Sequence, residues 1–410
     1  MGASQPLQLY NGSKCCQNSD RKESLGEMTC SACELWSHYR HATRLIDQEN
    51  KTMLRHFAAA LTLAGILCFS DSNTAQNIQR LPTPTTPLQT IAFGSCLDSK
   101  KSLAILEVIT KAQPDIFIFG GDNVYAADES DDPALASLNA AYQDLAQAPE
   151  FQNLARSIPI LATWDDHDYG LNDAGGEFAH KKQSERLFEA FWQIAPEDPS
   201  ASRPGVYRTI RIGDGKQRVQ IILLDTRFFR TPLKTPWIPP LVGRYVPNDD
   251  PEQSMLGSAQ WQWLTETLKE PAALRILVSS VQVLADGHQW EAWRMLPREQ
   301  QRLLALLATS TGETIIVSGD RHLAGLYQAQ TDAAQPIDAQ PILELTTSSL
   351  NLPLSQIATV ITPETGSTLL DSAFYEANFG WIAIDWDARI AQIEIRNEQN
   401  EAVRQRAVSF

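Results

Sequence analysis

The sequence predicts one domain of about 320 residues, of α/β or α+β class with two β-sheets. From residue 88 onward, short apolar runs alternate with segments of helical periodicity. The turn-like sequence GDGKQ (213–217) connects the apolar run 205–213, whose last residue it shares, to the apolar run 218–226. This arrangement predicts a β-hairpin. Neither an internal repeat nor a second linker interrupts the chain after residue 88. One domain therefore accounts for residues 88–410.

The first half of this domain alternates strands and helices. We place an N-cap at Ser99, at the start of the first helix. The predicted strands are LQTIAFGSC (88–96), DIFIFGGD (115–122) and IPILATWDDHD (158–168), and the predicted helices are 99–112, roughly 134–156, and 181–194.

The second half follows the hairpin and a proline-rich loop, 232–252. Ser258 is expected to open a helix whose apolar face carries Trp261, Leu264 and Leu268. The remaining predicted elements are the strands 274–282 and 314–320, the helix 297–309 between them, and further strands that include 341–350 and 380–396.

The N-terminal region has the pattern of an export signal. Residues 57–69 form an apolar stretch that is too short to span a bilayer, and Arg55 and His56 precede it. We therefore expect 1–52 to be a mis-called or leader extension, 53–75 a signal peptide, 76–87 a Pro/Thr-rich linker and 88–410 the functional domain. The exported protein would act as a monomer in the periplasm or outside the cell, and Cys96 would be its single cysteine.

The overall charge argues against polyanionic partners. The chain carries 34 basic and 49 acidic residues, a formal net charge of −15. Such a field repels nucleic acids and anionic membranes unless metal cations intervene, so we expect no nucleic-acid binding as such.

Polar residues capable of metal binding follow the predicted strands at their carboxyl ends. In α/β sheets, loops converge at these ends and form sites. Several acidic segments in one crevice would repel each other unless cations were bound between them. The sequence therefore predicts a metal site built from Cys96, Asp122, Tyr125, residues 165–168, Gln282, Asp320 and His322.

The donor types indicate which metals suit this site. Thiolate, phenolate and imidazole donors from Cys96, Tyr125 and His322 suit Fe(III). The carboxylates of Asp166 and Asp320 better suit Ca²⁺, Mg²⁺ or Mn²⁺, and Asp122 would bridge two ions. Cys96 also precedes the predicted helix start, where a thiolate is favoured. Two cations that share a water promote phosphoester hydrolysis.

The motifs FGSC, GGDNVY, TWDDHDYG, LLDTR, SSVQVL and SGDRH occur in this order over residues 88–395. In this respect the sequence resembles the alkaline phosphatase D (PhoD-like) family of the metallophosphoesterase superfamily. The resemblance implies an α/β fold, a four-layer αββα sandwich of two mixed sheets. It also implies one iron with one or two calcium ions, with zinc, manganese or magnesium as alternatives. The implied activity is hydrolysis of phosphate mono- and diesters by a metal-bridging hydroxide.

The resemblance also assigns roles to the ligands. Asp122 and Tyr125 match the bridging Asp and the iron-binding Tyr of the superfamily, and Cys96 takes the place of its first-strand Asp. Asp320 and His322 match the final GHxH motif, with Asp in place of the first His.

The resemblance also implies roles for the residues of the TWDDHDYG and SSVQVL motifs. Asp166 would be a ligand, and His167 would be a substrate-facing acid or a phosphate partner. The strand that ends at Gln282 lacks the terminal His of many superfamily members, so Gln282 or His288 would substitute. Because the linker leads directly into the first predicted strand, we expect the N-terminal β-sandwich of larger family members to be absent.

The anion-binding residues and one rival function remain open. Arg227, Arg321 and Lys181 are candidates for binding substrate, and each could equally make a structural ion pair. The rival is a non-catalytic calcium-binding extracellular protein, which acidic loops alone would support. A Ser-His-Asp esterase is disfavoured, because neither FGSCL nor VSGDR contains the nucleophile motif.

Overall fold

The computed structural model describes residues 85–410 except 128–130, 239, 241–242, 330–340 and 360. The described residues belong to one compact unit, Ala75–Phe410. The predicted extension 1–52, the signal peptide 53–75 and most of the linker 76–87 lie outside them. Among the described helices, none has the length and apolar character needed to cross a membrane.

The described residues form twelve strands and eight α-helices. The strands are β1 (Thr90–Gly94), β2 (Ile116–Gly120), β3 (Ile160–Thr163), β4 (Arg208–Ile212), β5 (Val219–Leu223), β6 (Leu274–Ser279), β7 (Glu313–Ser318), β8 (Ala324–Gln328), β9 (Leu343–Thr347), β10 (Asn378–Asp385), β11 (Ile390–Asn397) and β12 (Ala402–Ser409). The helices are α1 (Ala104–Ala112), α2 (Ala136–Gln147), α3 (Pro149–Ser157), α4 (Asp166–Tyr169), α5 (Lys181–Phe191), α6 (Gly257–Thr267), α7 (Pro297–Ala308) and α8 (Leu354–Ile357).

The strands form two mixed sheets of six strands each. The first sheet has the order β12-β11-β10-β1-β2-β3, and the second has the order β4-β5-β6-β7-β9-β8. In the first sheet β1, β2 and β3 are parallel, while β10, β11 and β12 are antiparallel to their neighbours. In the second sheet β5, β6, β7 and β9 are parallel, and β4 and β8 form antiparallel edges.

Three apolar clusters show how the sheets are layered. One cluster contains residues from both sheets, such as Ile118 of β2 and Ile276 of β6, and fills the space between them. The alternate side chains face outward: Phe117 packs with α1, α2 and α3, and Leu277 packs with α6 and α7. The layers are therefore helix, sheet, sheet and helix, which confirms the four-layer αββα sandwich.

The first helix begins later than the sequence predicts. Asp98 accepts a hydrogen bond from the backbone N–H of Lys101 through its carbonyl (3.0 Å) and one from Lys100 through its side chain (2.9 Å). This turn occupies the region where Ser99 was expected to cap a helix, and α1 begins only at Ala104. The N-cap position is Leu103, so the expected cap at Ser99 is wrong. Cys96 is seven residues before Leu103, so the expectation that it directly precedes the helix start is wrong as well.

Candidate metal centre

The predicted ligands lie in loops that leave the carboxyl ends of strands from both sheets. Asp122 follows β2 after Gly121, whose φ is +107°. A Cβ atom at Gly121 would lie 2.7 Å from Cβ of Asp165 and 3.0 Å from Cβ of Ser280, so a larger residue would separate these segments. The glycine thus allows the loops after β2, β3 and β6 to approach closely.

Cys96 and Tyr125 approach the same carboxylate oxygen. The Oδ2 atom of Asp122 lies 2.9 Å from the Tyr125 hydroxyl and 3.5 Å from Cys96 Sγ. The Tyr125 hydroxyl is also 3.4 Å from Nε2 of His322. One ligand atom each from Cys96, Asp122 and His322 lies within 4.8 Å of the others. The structure therefore brings sulfur, phenol, carboxylate and imidazole groups of the predicted residues close together.

The hydrogen bonds of His322 leave one ring nitrogen available to a metal. Its Nδ1 atom is 2.7 Å from the carbonyl oxygen of Leu352, which can only accept, so Nδ1 carries the proton. The lone pair is then on Nε2, the atom that faces Tyr125. A ligating histidine commonly donates its other N–H to a carbonyl in this way. Burial also lowers the pKa of His322 to about 4, which keeps the imidazole neutral.

The second oxygen of Asp122 faces a different set of residues. Its Oδ1 atom accepts a hydrogen bond from the backbone N–H of His167 at 3.3 Å. Ligand atoms of Asp122, Asp166 and His167 form a second group within 4.8 Å. Asp122 is thus shared by two potential metal-binding groups, as a bridging ligand must be.

The backbone at these positions is unusual. Among the described residues, ten that are not glycine have positive φ, and five of them belong to this region: Cys96, Asp122, Asp173, Asp320 and His322. Positive φ is rare for residues with a side chain, and such strain often concentrates at functional sites. The concentration here singles out the same loops as the sequence did.

Burial raises the pKa values of most donors in this site, and positive neighbours reverse its effect at one of them. Burial raises the pKa of Cys96 to about 11, and it raises the pKa values of Asp122 and Asp320 well above their usual range. Burial also acts on Asp166, but the Arg227 guanidinium and His167 outweigh it and lower the pKa of Asp166 to about 2. A bound cation would favour the charged form of each of these donors.

The segment 165–168 divides into residues that hold the fold and residues that face the cavity. Asp168 accepts hydrogen bonds from the backbone N–H of Asp165 (2.5 Å) and from the backbone N–H of Asn123 (3.2 Å). Asp165 pairs with Arg227, and its Oδ1 atom lies 2.6 Å from the guanidinium Nε. Asp166 and His167 line the cavity.

The two arginines predicted to bind substrate have different environments. Arg227 is fully buried, and its guanidinium contacts Asp165 and Glu291. It does not line the cavity, and this placement favours the structural ion pair. Arg321 does line the cavity and lies 3.5 Å from Glu364, with a buried Nε atom that has no hydrogen-bond partner. Lys181 donates to the carbonyls of Gly176 and Phe228, which also indicates a structural role.

Neither residue proposed to replace the strand-end histidine has a free donor atom. His288 accepts the backbone N–H of Trp290 at Nδ1 (3.1 Å), so its Nε2–H donates to the side-chain oxygen of Gln282 (2.9 Å). The side-chain amide nitrogen of Gln282 donates to Thr346 at 3.0 Å. Burial lowers the pKa of His288 well below its usual range, so the ring stays neutral. In this arrangement neither side chain serves as a metal ligand.

Two acidic residues that the sequence analysis did not select lie beside the site. Ligand atoms of Asp166, Asp173 and Glu291 form a third group within 4.8 Å. Asp173 also contacts Arg244, at 3.1 Å. Asp173 lies ten residues after the end of β3 and Glu291 twelve residues after the end of β6, so their tertiary contacts bring them to the site. A signal was present in the sequence TWDDHDYGLNDAGG, where Asp173 follows shortly after Asp166.

The cavity over these groups has a volume of about 700 Å³. Six of the predicted site residues line it: Asp122, Asp166, His167, Asp320, Arg321 and His322. Cys96 is completely buried, and Tyr125 is half-buried beside it. Asp320 lines the cavity but is not a member of any of the three ligand groups.

The donor set fits the metals that the resemblance implies. The sulfur of Cys96, the phenol of Tyr125 and Nε2 of His322 suit iron. On the other side, the oxygen donors of Asp166, Asp173 and Glu291 suit calcium. Asp122 presents one oxygen to each side. The fit rests on this division of donors and on the orientation of His322.

Comparisons with known proteins identify a family model and several solved structures that are similar to this chain. A family model described as PhoD-like phosphatase matches residues 91–392. The solved structure of PhoD is 17% identical, with a TM-score of 0.59, and the match covers 80% of this chain and 70% of that one. A second solved structure is GAP50, described as the anchor in the inner membrane complex of Plasmodium, which is 12% identical with a TM-score of 0.48. That match covers 79% of this chain and 89% of the GAP50 chain. Among curated proteins, none matches the chain.

Proposed function

The chain belongs to the PhoD-like phosphatase family, and from this premise we propose that it is an exported, metal-dependent phosphoric ester hydrolase. Membership supports a phosphatase that acts on phosphoester substrates. The finer proposal is an enzyme of the alkaline phosphatase D type that hydrolyses mono- and diesters. It would hold one iron ion and one or two calcium ions.

The observation that carries the proposal is the arrangement of donors around Asp122. Its two oxygens face two different ligand groups, one with the Cys96 thiol, Tyr125 and His322, the other with Asp166 and His167. When bound there, the cations would supply an activated water and neutralise charge on the leaving group.

The side chains of the cavity would provide the rest of the chemistry. Arg321 would bind a phosphate oxygen, because its side chain is partly exposed and lines the cavity. His167 would donate a proton to the leaving oxygen or bind the phosphate, without holding metal. Asp320 would act as an outer ligand or orient water. The metal ligands would be Cys96, Asp122, Tyr125, Asp166 and His322.

Elemental analysis and turnover together test the proposal. Purified protein is expected to contain iron and calcium and to hydrolyse 4-nitrophenyl phosphate and its bis ester. The rival, a non-catalytic calcium-binding extracellular protein, predicts calcium without iron and no turnover across a panel of added metals. That result would overturn the proposal, because a site that binds only calcium has no use for Cys96, Tyr125 and His322.

Export to the periplasm or the medium is a separate part of the proposal. It rests on the apolar stretch 57–69 and its basic flank. N-terminal sequencing of the exported protein is expected to find a start near residue 71 or 76. A mature chain that retains Met1 would contradict this part and leave the hydrolase proposal intact.

A further inference from the structure

The cavity over the metal centre has room for more than a phosphate group. Its volume of about 700 Å³ lies within the range of sites that enclose a whole organic ligand. Beside the charged residues, its lining includes the apolar side chains Trp290, Leu354, Ala358 and Pro363. An organic group attached to the phosphate therefore has apolar surface to contact.

Trp290 is the most unusual of these residues. Among the described residues, four large hydrophobic side chains are exposed: Trp237 (99%), Ile238 (77%), Ile357 (45%) and Trp290 (42%). Of these four, Trp290 alone lines the cavity. An exposed indole costs hydration free energy, which contact with an apolar ligand would recover.

The backbone around Trp290 is held firmly in place. Its N–H donates to His288, and the carbonyl of the preceding Gln289 accepts the N–H groups of Arg244 (2.7 Å) and Tyr245 (2.8 Å). A Cβ atom at Gly243 would lie 2.1 Å from the carbonyl carbon of Gln289, so the two segments touch. A ring on so rigid a segment loses little conformational entropy when a ligand binds.

Arg321 connects the indole to the metal centre. The guanidinium carbon of Arg321 lies 5.9 Å from the centre of the Trp290 ring, and Arg321 is the residue between Asp320 and His322. A phosphate held between the metal ligands and Arg321 would therefore present its organic group near Trp290.

We propose, on the basis of the proposed function, that Trp290 is a specificity-determining residue that binds the organic group of the phosphoester against its indole ring. The site then favours esters with an apolar, especially aromatic, group over esters of small polar alcohols. Stacking on an aromatic side chain gives such preference because every flat ring offers a complementary face.

Binding of two phosphonates that differ only in the organic group tests this proposal. Affinity of the metal-loaded protein for phenylphosphonate and methylphosphonate is measured by titration calorimetry. The wild type is expected to bind phenylphosphonate more tightly. Trp290→Ala is expected to weaken phenylphosphonate binding by about tenfold and methylphosphonate binding by less than about twofold. Trp290→Phe keeps most of the preference, and Trp237→Ala, the matched exposed tryptophan outside the cavity, changes neither affinity.

The outcomes separate this proposal from the hydrolase proposal. Equal weakening of both phosphonates by Trp290→Ala, or no preference in the wild type, would overturn the role of Trp290. The same loss in Trp237→Ala would overturn it as well. Wild-type protein that binds phenylphosphonate selectively but hydrolyses neither 4-nitrophenyl phosphate nor glycerol phosphate would refute the hydrolase function and leave the selectivity standing.

Discussion

Cys96 and Tyr125 reach one oxygen of Asp122 from neighbouring strands. Cys96 follows β1, Tyr125 and Asp122 follow β2, and these strands are parallel and adjacent. The sulfur and the phenol lie 3.5 Å and 2.9 Å from the same Oδ2 atom. This convergence is what an iron ion with thiolate and phenolate ligands requires.

The first prediction concerns the colour of the protein. Thiolate and phenolate bound to Fe(III) produce ligand-to-metal charge-transfer absorption, so concentrated protein should be coloured. Tyr125→Phe should shift or abolish the visible band, and Cys96→Ser should perturb it independently. Tyr142→Phe, at a buried tyrosine packed among helices instead, should leave the spectrum unchanged. An active wild-type protein that is colourless and free of iron would refute the iron assignment.

The second prediction concerns His167. If it acts on the leaving group or the phosphate, His167→Ala should lower kcat by about 10²- to 10⁴-fold and leave the metal content intact. Steady-state kinetics and elemental analysis of one preparation measure both. His180→Ala serves as the matched control, because His180 does not line the cavity. Loss of metal from His167→Ala would make His167 a ligand, which its proximity to Asp122 and Asp166 also permits.

At the scale of elements, the sequence predicts the sandwich well where strands are apolar on both faces. β2, for example, is buried at every position and reads as a continuous apolar run. β12 was not assigned, because its sequence AVRQRAVS is polar and mostly exposed, and only pairing with β11 makes it a strand. Asp173 and Glu291 were not predicted as site residues for a related reason. Long-range contacts bring their loops to Asp166, and no local sequence pattern encodes such contacts.

A buried ion network joins three of these elements. Arg227, after β5, contacts Asp165, after β3, and Glu291 in the loop between β6 and α7. Arg230 lies 3.0 Å from the other oxygen of Glu291. All four side chains are almost completely buried. The network therefore fixes the loops that carry Asp166 and Trp290.

The third prediction follows from the burial of that network. Arg227→Ala leaves Asp165 and Glu291 without their main counter-charge, so the free energy of unfolding should fall by about 3–5 kcal/mol. Arg211→Ala removes an exposed pair with Glu270 and should cost no more than about 1 kcal/mol. Urea unfolding of both variants measures the difference. Equal effects in the two variants would show that the buried network does not hold the loops.

For the molecule as a whole, the residues of the candidate metal centre come from both sheets. Cys96, Asp122 and Asp166 follow strands of the first sheet, whereas Asp320 and His322 follow β7 of the second. The chain also carries a formal charge of −15, and several of its carboxylates meet in this one cavity. Bound cations would relieve their repulsion and connect the sheets at the same time.

The fourth prediction is that metal removal destabilises the protein, and more strongly at pH 8 than at pH 5. Ligands that bind only the folded state stabilise it by mass action, about 4 kcal/mol at a thousand times Kd. In the metal-free protein, burial raises the pKa values of Asp122 and Asp320. A carboxyl with a raised folded pKa binds its proton more tightly in the folded state. The loss of folding stability that its ionisation causes is therefore absent below the unfolded pKa of about 4. This loss grows as pH rises toward the pKa of the folded state.

Urea unfolding with and without a chelator, at both pH values, measures this effect. The metal-loaded protein should not show the same loss, because its carboxylates are already ionised as ligands. Asp122→Asn is the matched control: it removes the ligand shared by both groups, so the chelator should change its stability little at either pH. A chelator effect that is absent, or larger at pH 5 than at pH 8, would show that cations do not hold these carboxylates together. The two sheets would then be joined by the apolar layer between them and by the buried ion pairs of Arg227, without a contribution from cations.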